Sequence, residues 1–574
     1  MGKFLLGILT GFALVFVAGV LVLFAVAHFT QAPPSIRDNS VLVMRLTGDV
    51  PEKAPIELPA LLSPAAGPRA TLADVWMSLR KAAVDPQIKA VIVEPEGLSA
   101  GWAKCEEIRS DLEAFRKSGK PVYAYLRQPG SHEYYVATAA GRIYLGPSEP
   151  VMLKGLRAEI MYFKNTLDKL GVTVQVQHAG KYKDFGDMFE RTNMSPETRE
   201  VMDSVVGDLY GNLVDRIAAA RHKSAADVRA IIDRGPYTAP GALQAGLVDE
   251  LRFEDQMFGE LRAALHSGQP HQVSLEDYVR VPASSVGLGG KQHIALVIGE
   301  GDIVRGDPSD DGSESSLTSY GFVKVLKHLE GDSSIKGVIV RIDSPGGEVT
   351  ASDEIWREMN LLNQKKPMVI SMSDVAASGG YFMAMTGAPI VAYPATETGS
   401  IGVVFGKPVL HGLYDKLGIS KDAVQQGAHA DIDSDYVPLS PDEAAILRHG
   451  IDESYVDFVS KVAAARHRPY NDIEPNAQGR VWLGSQAQPR GLVDQLGGFD
   501  TAVALLKQKA GIAANENVSI DVYPAARTWL DLLIKRPQSD ALSMRLKQVV
   551  GNVPLRAWMQ GGYLREMPYW FEVR

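Results

Sequence analysis

Residues 335–347 read IKGVIVRIDSPGG, a β-rich run that ends in a Pro-Gly-Gly turn. The same half of the chain contains further β-rich runs, which read HIALVIG (293–299), PMVISMS (367–373) and PIVAY (389–393). Helical patterns such as SDEIWREMNLLNQ (352–364) lie between them. Strands that alternate with helices predict an α/β fold built from βαβ units.

The run at residue 335 has a copy 247 residues earlier in the chain. Matching segments share almost the same offset: IKAVIV (88–93) with IKGVIV (335–340), DKLG (168–171) with DKLG (415–418), and GLVD (246–249) with GLVD (491–494). Because several matches occur in one order, chance does not explain them, and a long internal repeat is indicated.

The repeat predicts two tandem homologous domains, residues 37–283 and residues 291–525, with a linker at 281–292. The acidic stretch from Asp307 to Ser316 has the composition of a mobile loop. Residues 526–574 form a tail rich in Trp and Tyr, for which the sequence predicts no function.

The amino terminus is apolar from residue 4 to residue 29. This run exceeds the core of a cleavable signal and matches the length of a membrane span, so we expect one uncleaved transmembrane helix within residues 1–36. Ala25-Val26-Ala27 resembles a cleavage site and keeps processing open as an alternative. Lys3 favours an orientation with the amino terminus inside and the domains outside.

Composition excludes several classes of protein. The 574 residues carry 59 basic and 68 acidic side chains, a net charge of −9, which argues against nucleic-acid binding through phosphate contacts. Cys105 is the single cysteine, so neither an intramolecular disulfide nor a Cys-rich metal site is possible. The sequence contains neither a P-loop nor HExxH, and we expect no metal or cofactor.

Ser378 lies in SMSDVAASGGYFMAM (371–385), where a β-rich run gives way to two glycines and a helical pattern. A serine at a helix N-terminus is placed where the macrodipole and free N–H groups stabilise developing negative charge. Gly379 would allow a substrate to approach the backbone closely. The alternative is an ordinary N-cap serine.

Gly346 and Gly347 follow directly after a predicted strand. Their N–H groups could form one half of an oxyanion hole, with the Gly379 N–H as the other half. The alternative is a tight turn, for which Pro-Gly is sufficient.

A nucleophilic serine needs a base, and no histidine has a recognisable context. A Ser-Lys pair is a known arrangement, and Gly180-Lys181-Tyr182-Lys183-Asp184 offers two lysines, which could also be a solvated surface pair. In the second copy Ala430 stands in place of Lys183. The first copy lacks the Gly-Gly elements, so the two copies together predict one composite site.

Four motifs, with the apolar amino terminus and the duplicated halves, resemble the signal peptide peptidase A family in its long, two-domain bacterial form: IDSPGG (342–347), DVAASGGYFMA (374–384), TGSIGV (398–403) and GKYKDF (180–185). The resemblance implies ClpP/crotonase-like domains and a membrane-tethered serine endopeptidase with a Ser/Lys dyad. By motif, Ser378 is the nucleophile, Lys183 the general base and Ser400 the hydroxyl that orients the lysine. Gly346 or Gly347, together with Gly379, would supply the oxyanion hole, but Lys181 leaves open which lysine points inward.

The same resemblance implies hydrophobic peptide substrates such as cleaved signal peptides, and a homo-oligomer, a tetramer in this family. It places the protein in the bacterial inner membrane with its catalytic domains in the periplasm. Two alternatives stay open from the residues: an acyl-CoA enzyme on the crotonase fold, and a catalytically silent membrane scaffold.

Overall fold

The computed structural model describes residues 34–54, 70–265, 268, 270–306, 316–525 and 563–567, together with Gly11 and Val573. Apart from Gly11, the predicted transmembrane run lies outside the described residues, as do residues 307–315 of the predicted loop and most of the tail. Within the described part of the chain, no helix combines the length and the apolar character needed to cross a bilayer.

The first half of the chain is organised around a parallel sheet. Its strands are β1 (Ser40–Gly48), β2 (Ile88–Leu98), β3 (Val122–Leu126), β4 (Arg142–Leu145), β6 (Glu250–Leu251) and β7 (His271–Ser274). They lie in the order β6-β4-β3-β2-β1-β7, and every neighbouring pair is parallel. The repeated IKAVIV segment forms the start of the central strand β2, and five of its six residues are buried, as expected for a parallel sheet covered on both faces.

The second half contains the corresponding sheet, with β8 (Gln292–Glu300), β11 (Ile335–Ser344), β13 (Met368–Ala377), β14 (Ile390–Ala392), β15 (Glu397–Gly399), β17 (Val481–Leu483), β18 (Gln495–Leu496) and β19 (Val518–Tyr523). The main order is β17-β15-β13-β11-β8-β19, and β14 pairs with β13 and β18. All four predicted β-rich runs of this half are strands. The α/β architecture in two similar halves is therefore as the repeat predicts.

A third sheet joins the two halves. It contains β5 (Thr173–Ala179), β9 (Asp302–Val304), β10 (Ser316–Thr318), β12 (Gly346–Glu348), β16 (Val403–Val409) and β20 (Tyr563–Glu566). The order is β10-β9-β12-β20-β16-β5. Strand β5 comes from the first half, and it pairs antiparallel with β16 of the second half along seven residues.

Helices cover the sheets. Those of the first half are α1 (Leu72–Val84), α2 (Trp102–Arg116), α3 (Ser131–Ala137), α4 (Lys164–Leu170), α5 (Asp187–Glu190), α6 (Pro196–Arg221), α7 (Ala225–Ile232), α8 (Ala239–Gln244), α9 (Glu254–Ala264) and α10 (Leu275–Val279). Those of the second half are α11 (Ser319–Gly331), α12 (Val349–Lys365), α13 (Gly379–Met383), α14 (His411–Leu417), α15 (Pro441–Ala465), α16 (Tyr470–Ile473), α17 (Gly484–Ala487) and α18 (Phe499–Lys509). Short 3₁₀ helices span Ala283–Val286 and Glu474–Asn476.

Buried charges bind the two halves together. The Arg341 guanidinium of β11 contacts the carboxylates of Glu52 and Glu107 from the first half, at 2.8 Å and 2.6 Å. All three side chains are buried. Since a buried charge is costly without its partner, this cluster requires the halves to stay docked.

Candidate active site

Ser378 occupies a sharp turn between strand β13 and helix α13. Its backbone angles are φ 52° and ψ −113°, a conformation that non-glycine residues rarely adopt and that costs about 1–3 kcal/mol. The turn is held because the Ser378 N–H donates to the Gly399 carbonyl at 2.9 Å and the Ser378 carbonyl accepts from the Phe382 N–H at 2.8 Å. A strained turn of this kind presents the hydroxyl away from the sheet.

Lys183 meets Ser378 within one chain. The Lys183 Nζ donates to Ser378 Oγ at 2.8 Å, to Ser400 Oγ at 2.8 Å and to the Ser400 carbonyl at 3.1 Å. All three residues are buried. Lys181 instead points outward, with 56% of its side chain exposed and its ammonium 3.9 Å from Glu197.

Lys183 reaches this position because it follows strand β5, which pairs with the second half beside the site. The register places Ala179, the last residue of β5, opposite Val403 of β16, and the GKYK segment turns inward immediately afterwards. The Tyr182 N–H donates to the Gln478 carbonyl at 2.7 Å, which fixes the turn against the second half. Gly479 is essential to this packing, because a Cβ there would lie 2.5 Å from the Lys183 Cβ.

Gly479 is a residue of the site that the sequence does not predict. Its neighbourhood reads NAQGR (476–480), which carries no catalytic motif, and a single glycine signals only a turn. Its role follows from a close approach between two distant segments, so the local sequence contains no signal for it.

Asp184 anchors the segment that follows the lysine. Its buried carboxylate accepts a short hydrogen bond from Thr198 Oγ1. Thr198 lies in the first turn of α6, and its N–H donates to the N-cap Ser195 side chain at 3.0 Å. The helix start therefore holds the loop next to Lys183 in place.

Ser400 also has an unusual backbone, with φ 50°. Its N–H donates to the Arg480 carbonyl at 2.8 Å, so the same segment that packs on Lys183 also positions Ser400. The neighbouring Thr398 Oγ1 donates to the Ala376 carbonyl at 2.8 Å and ties this strand to β13.

The candidate oxyanion groups lie on strand β12 and at the start of helix α13. The Gly346 N–H donates to Ser344 Oγ at 3.2 Å and is therefore already engaged. Gly347 has φ 149°, and a Cβ there would come within 2.0 Å of the Ile303 carbonyl oxygen, so only glycine fits. Gly379 is the first residue of α13, where helical N–H groups have no partner within the helix.

A partly buried cluster of charges supports the turn that carries these glycines. Asp343 Oδ1 accepts from the Val375 N–H at 3.0 Å, and its Oδ2 lies 2.9 Å from the Lys104 Nζ of the first half. The Asp374 carboxylate accepts from the N–H groups of Gly101 and Lys104, both at 2.8 Å. Burial raises the pKa of Asp374 to about 7, although the Lys104 charge opposes the shift.

The arrangement as a whole consists of a buried hydroxyl, a buried amine in hydrogen-bond contact with it, and backbone N–H groups close by. A hydroxyl next to a base is the arrangement that nucleophilic catalysis requires. Each group is contributed by a different strand end or turn, and the lysine comes from the other half of the repeat.

Comparison with known proteins gives consistent results. The signature of Peptidase family S49 matches twice, at residues 114–267 and 360–513, and that of Clp protease matches residues 296–398. The chain is 36% identical to the chloroplastic serine protease SPPA of Arabidopsis thaliana, over 84% of this chain and 71% of the relative. It is 31% identical to Protease 4 of Salmonella typhi, over 84% of this chain and 79% of the relative. Protease 4 of Haemophilus influenzae is 32% identical over 76% of this chain and 72% of its own length.

Proposed function

The chain belongs to peptidase family S49 and is a serine peptidase, and we propose that it cleaves peptides with a dyad formed by Ser378 and Lys183. The observation that carries the proposal is the 2.8 Å contact between Lys183 Nζ and Ser378 Oγ. The amine is buried, and its hydrogen bonds to Ser378 and Ser400 all go to neutral oxygens. Burial disfavours the charged ammonium, which suits a lysine that must accept a proton.

In the proposed reaction, neutral Lys183 accepts the Ser378 hydroxyl proton as Oγ attacks the peptide carbonyl carbon. The oxyanion of the tetrahedral intermediate accepts hydrogen bonds from the Gly347 and Gly379 N–H groups. Collapse breaks the C–N bond, and the Lys183 ammonium returns the proton to the leaving amine. Lys183 then deprotonates a water molecule, which hydrolyses the acyl-enzyme and regenerates Ser378.

Gly347 is the better oxyanion donor of the adjacent pair. The Gly346 N–H already donates to Ser344 Oγ, whereas Gly347 follows it on the strand that borders the site. Glycine is required at Gly347 because strand β9 approaches this position closely and the Ile303 carbonyl oxygen would collide with a Cβ.

Replacement of Ser400 by alanine tests the proposed positioning of Lys183. We expect kcat to fall about 10- to 100-fold with little change in KM, because the amine loses one of its hydrogen bonds and its fixed orientation. Ser78→Ala, at a buried serine on α1, is the matched control and should leave both constants unchanged. An unaltered kcat in Ser400→Ala would show that Ser400 does not position the base.

We further propose that the substrates are extended hydrophobic peptides such as cleaved signal peptides. Strand β12 lies next to Ser378 and pairs with β9 on one side and with β20 of the tail on the other, so a peptide substrate could bind to β12 as an added strand in place of β20. A cluster of buried apolar side chains packs on the same sheet and consists of Val174, Phe185, Val404 and Leu564 of β20. These side chains would favour apolar residues in the substrate.

The substrate proposal is tested with peptides of equal length that differ only in side-chain polarity. We expect kcat/KM for an apolar peptide to exceed that for a charged peptide at least about tenfold, the effect of burying one large apolar side chain. Equal cleavage of the two peptides would contradict this preference.

The apolar run at residues 4–29 supports anchoring in the bacterial inner membrane with the catalytic halves in the periplasm. The family resemblance supports assembly into a homo-oligomer, a tetramer in this family. The same sequence features support the division into residues 37–283, which would supply the lysine, and residues 291–525, which would supply the serine and the oxyanion hole.

A further inference from the structure

The carboxyl-terminal strand β20 lies across the candidate peptide groove. It pairs antiparallel with β12 on one side, where Gly347 is opposite Arg565, and with β16 on the other, where Phe405 is opposite Tyr563. The Leu564 side chain between these positions is buried. Beyond the strand, the Met567 N–H donates to the Pro345 carbonyl at 2.9 Å. This is the geometry of a peptide added as a strand next to the candidate oxyanion groups.

The same segment of chain also contacts the first half. Val573 is only 5% exposed and forms an antiparallel bridge with Ala158. Its carbonyl accepts a hydrogen bond from Trp102 Nε1 at 3.0 Å. Trp102 is held in turn by His132, whose ring centroid lies 4.3 Å from that of the indole.

The contact of the tail with β16 and its contact with the first half occupy equivalent positions in the repeat. Ala158 precedes Phe405 by 247 residues, the offset that relates the two copies. The bridge from Ala158 to Val573 therefore corresponds to the pairing of Phe405 with Tyr563. Leu156, Ala158 and Ile160 occupy every second position along this part of the first half. All three pack against the apolar cluster that contains Val573.

The oxyanion glycines are not repeated at this place, although Ser131 stands where the second half has Ser378. His132 and Glu133 stand where the second half has Gly379 and Gly380, and Ser99 and Ala100 stand where it has Gly346 and Gly347. A groove with an edge for strand pairing but without these glycines can bind a peptide and cannot stabilise an oxyanion in the same way.

We propose that the first half retains a peptide-binding groove without the oxyanion glycines, and that its ligand is Val573 of the chain's own carboxyl-terminal tail. Six residue steps separate Met567 from Val573 and span at most about 21 Å, so binding at one groove keeps the segment close to the other. Val573 then acts as the anchor that holds residues 563–566 over Ser378. In this position the tail would restrict access to Ser378, a role that rests on the proposed function of Ser378.

The test is a cross-link in the full chain between Ala158→Cys and Val573→Cys, since directly opposed residues of an antiparallel pair have suitable spacing for a disulfide. The native Cys105 is buried, and burial raises the pKa of its thiol, so it should not react. We expect an intrachain disulfide on oxidation, and a drop of about tenfold or more in the rate at which a fluorophosphonate labels Ser378, reversed by reductant. Each single-cysteine variant should show no change.

A second variant avoids the cross-link. Trp102→Phe removes the donor to Val573, and we expect Ser378 labelling to rise about threefold to tenfold, as for the loss of one hydrogen bond. Trp76→Phe is the matched control, because the Trp76 indole donates to Asp500, away from the tail.

The outcomes separate the two proposals. A disulfide that forms in a chain that is never labelled at Ser378 would refute the catalytic role and still support the placement of the tail. A folded chain whose cysteines do not join would overturn the inference. So would a cross-linked chain that is labelled as fast as the reduced chain.

Discussion

Ser378→Ala is expected to lower kcat/KM for a peptide substrate by about 10⁴- to 10⁶-fold, because it removes the atom that would form the acyl-enzyme. The hydroxyl is buried and packed against the amine, so alanine should fit without disturbing the fold. The measurement is the hydrolysis rate of a fluorogenic apolar peptide by the full chain.

Ser131→Ala is the matched control for this variant. Ser131 occupies the equivalent position in the first copy, at the start of α3, and is also buried. We expect its activity to stay within about twofold of the parent. Peptidase activity that survives in Ser378→Ala would instead show that a residue other than Ser378 is the nucleophile.

Lys183→Met is expected to cause a loss of similar size, about 10⁴-fold or more, because the serine hydroxyl is a weak nucleophile without a base. Methionine keeps most of the length and apolar character of the lysine stem, which packs against Gly479. Residues that act as one unit are strongly non-additive, so the double variant with Ser378→Ala should be no slower than the slower single variant.

Lys181→Met is the control for the choice of lysine. Lys181 is two residues away, in the same loop, and its side chain is mostly exposed. Its replacement should leave activity within about twofold of the parent. If Lys181→Met is inactive and Lys183→Met is active, the assignment of the base is wrong.

Local sequence patterns predict much of this structure. The β-rich runs around residues 293, 335, 367 and 389 are strands, and Ser378 lies between a strand and a helix, because hydrophobic periodicity and glycine turns act over a few residues. The internal repeat predicts the two similar α/β halves. The family match, together with the serine protease relatives, favours peptide hydrolysis over acyl-CoA chemistry.

The features that the sequence did not predict depend on contacts between distant segments. The motifs name Lys183 as the partner of Ser378, but they do not tell whether the two meet within one chain; that contact forms because β5 pairs with β16, and the register of strands far apart in the chain cannot be read from either strand alone. Gly479 matters only because Lys183 packs against it. Strand β20 lies in a tail whose composition suggested no function, and its position is defined by the two strands that flank it.

We propose that one catalytic dyad is built from both halves of the repeat. Its most direct test is to label the full-length protein with a fluorophosphonate and to map the adduct by mass spectrometry, in the parent and in Lys183→Met. We expect an adduct on Ser378 in the parent and none in Lys183→Met. An adduct on a different serine, or equal labelling of Ser378 without Lys183, would contradict it.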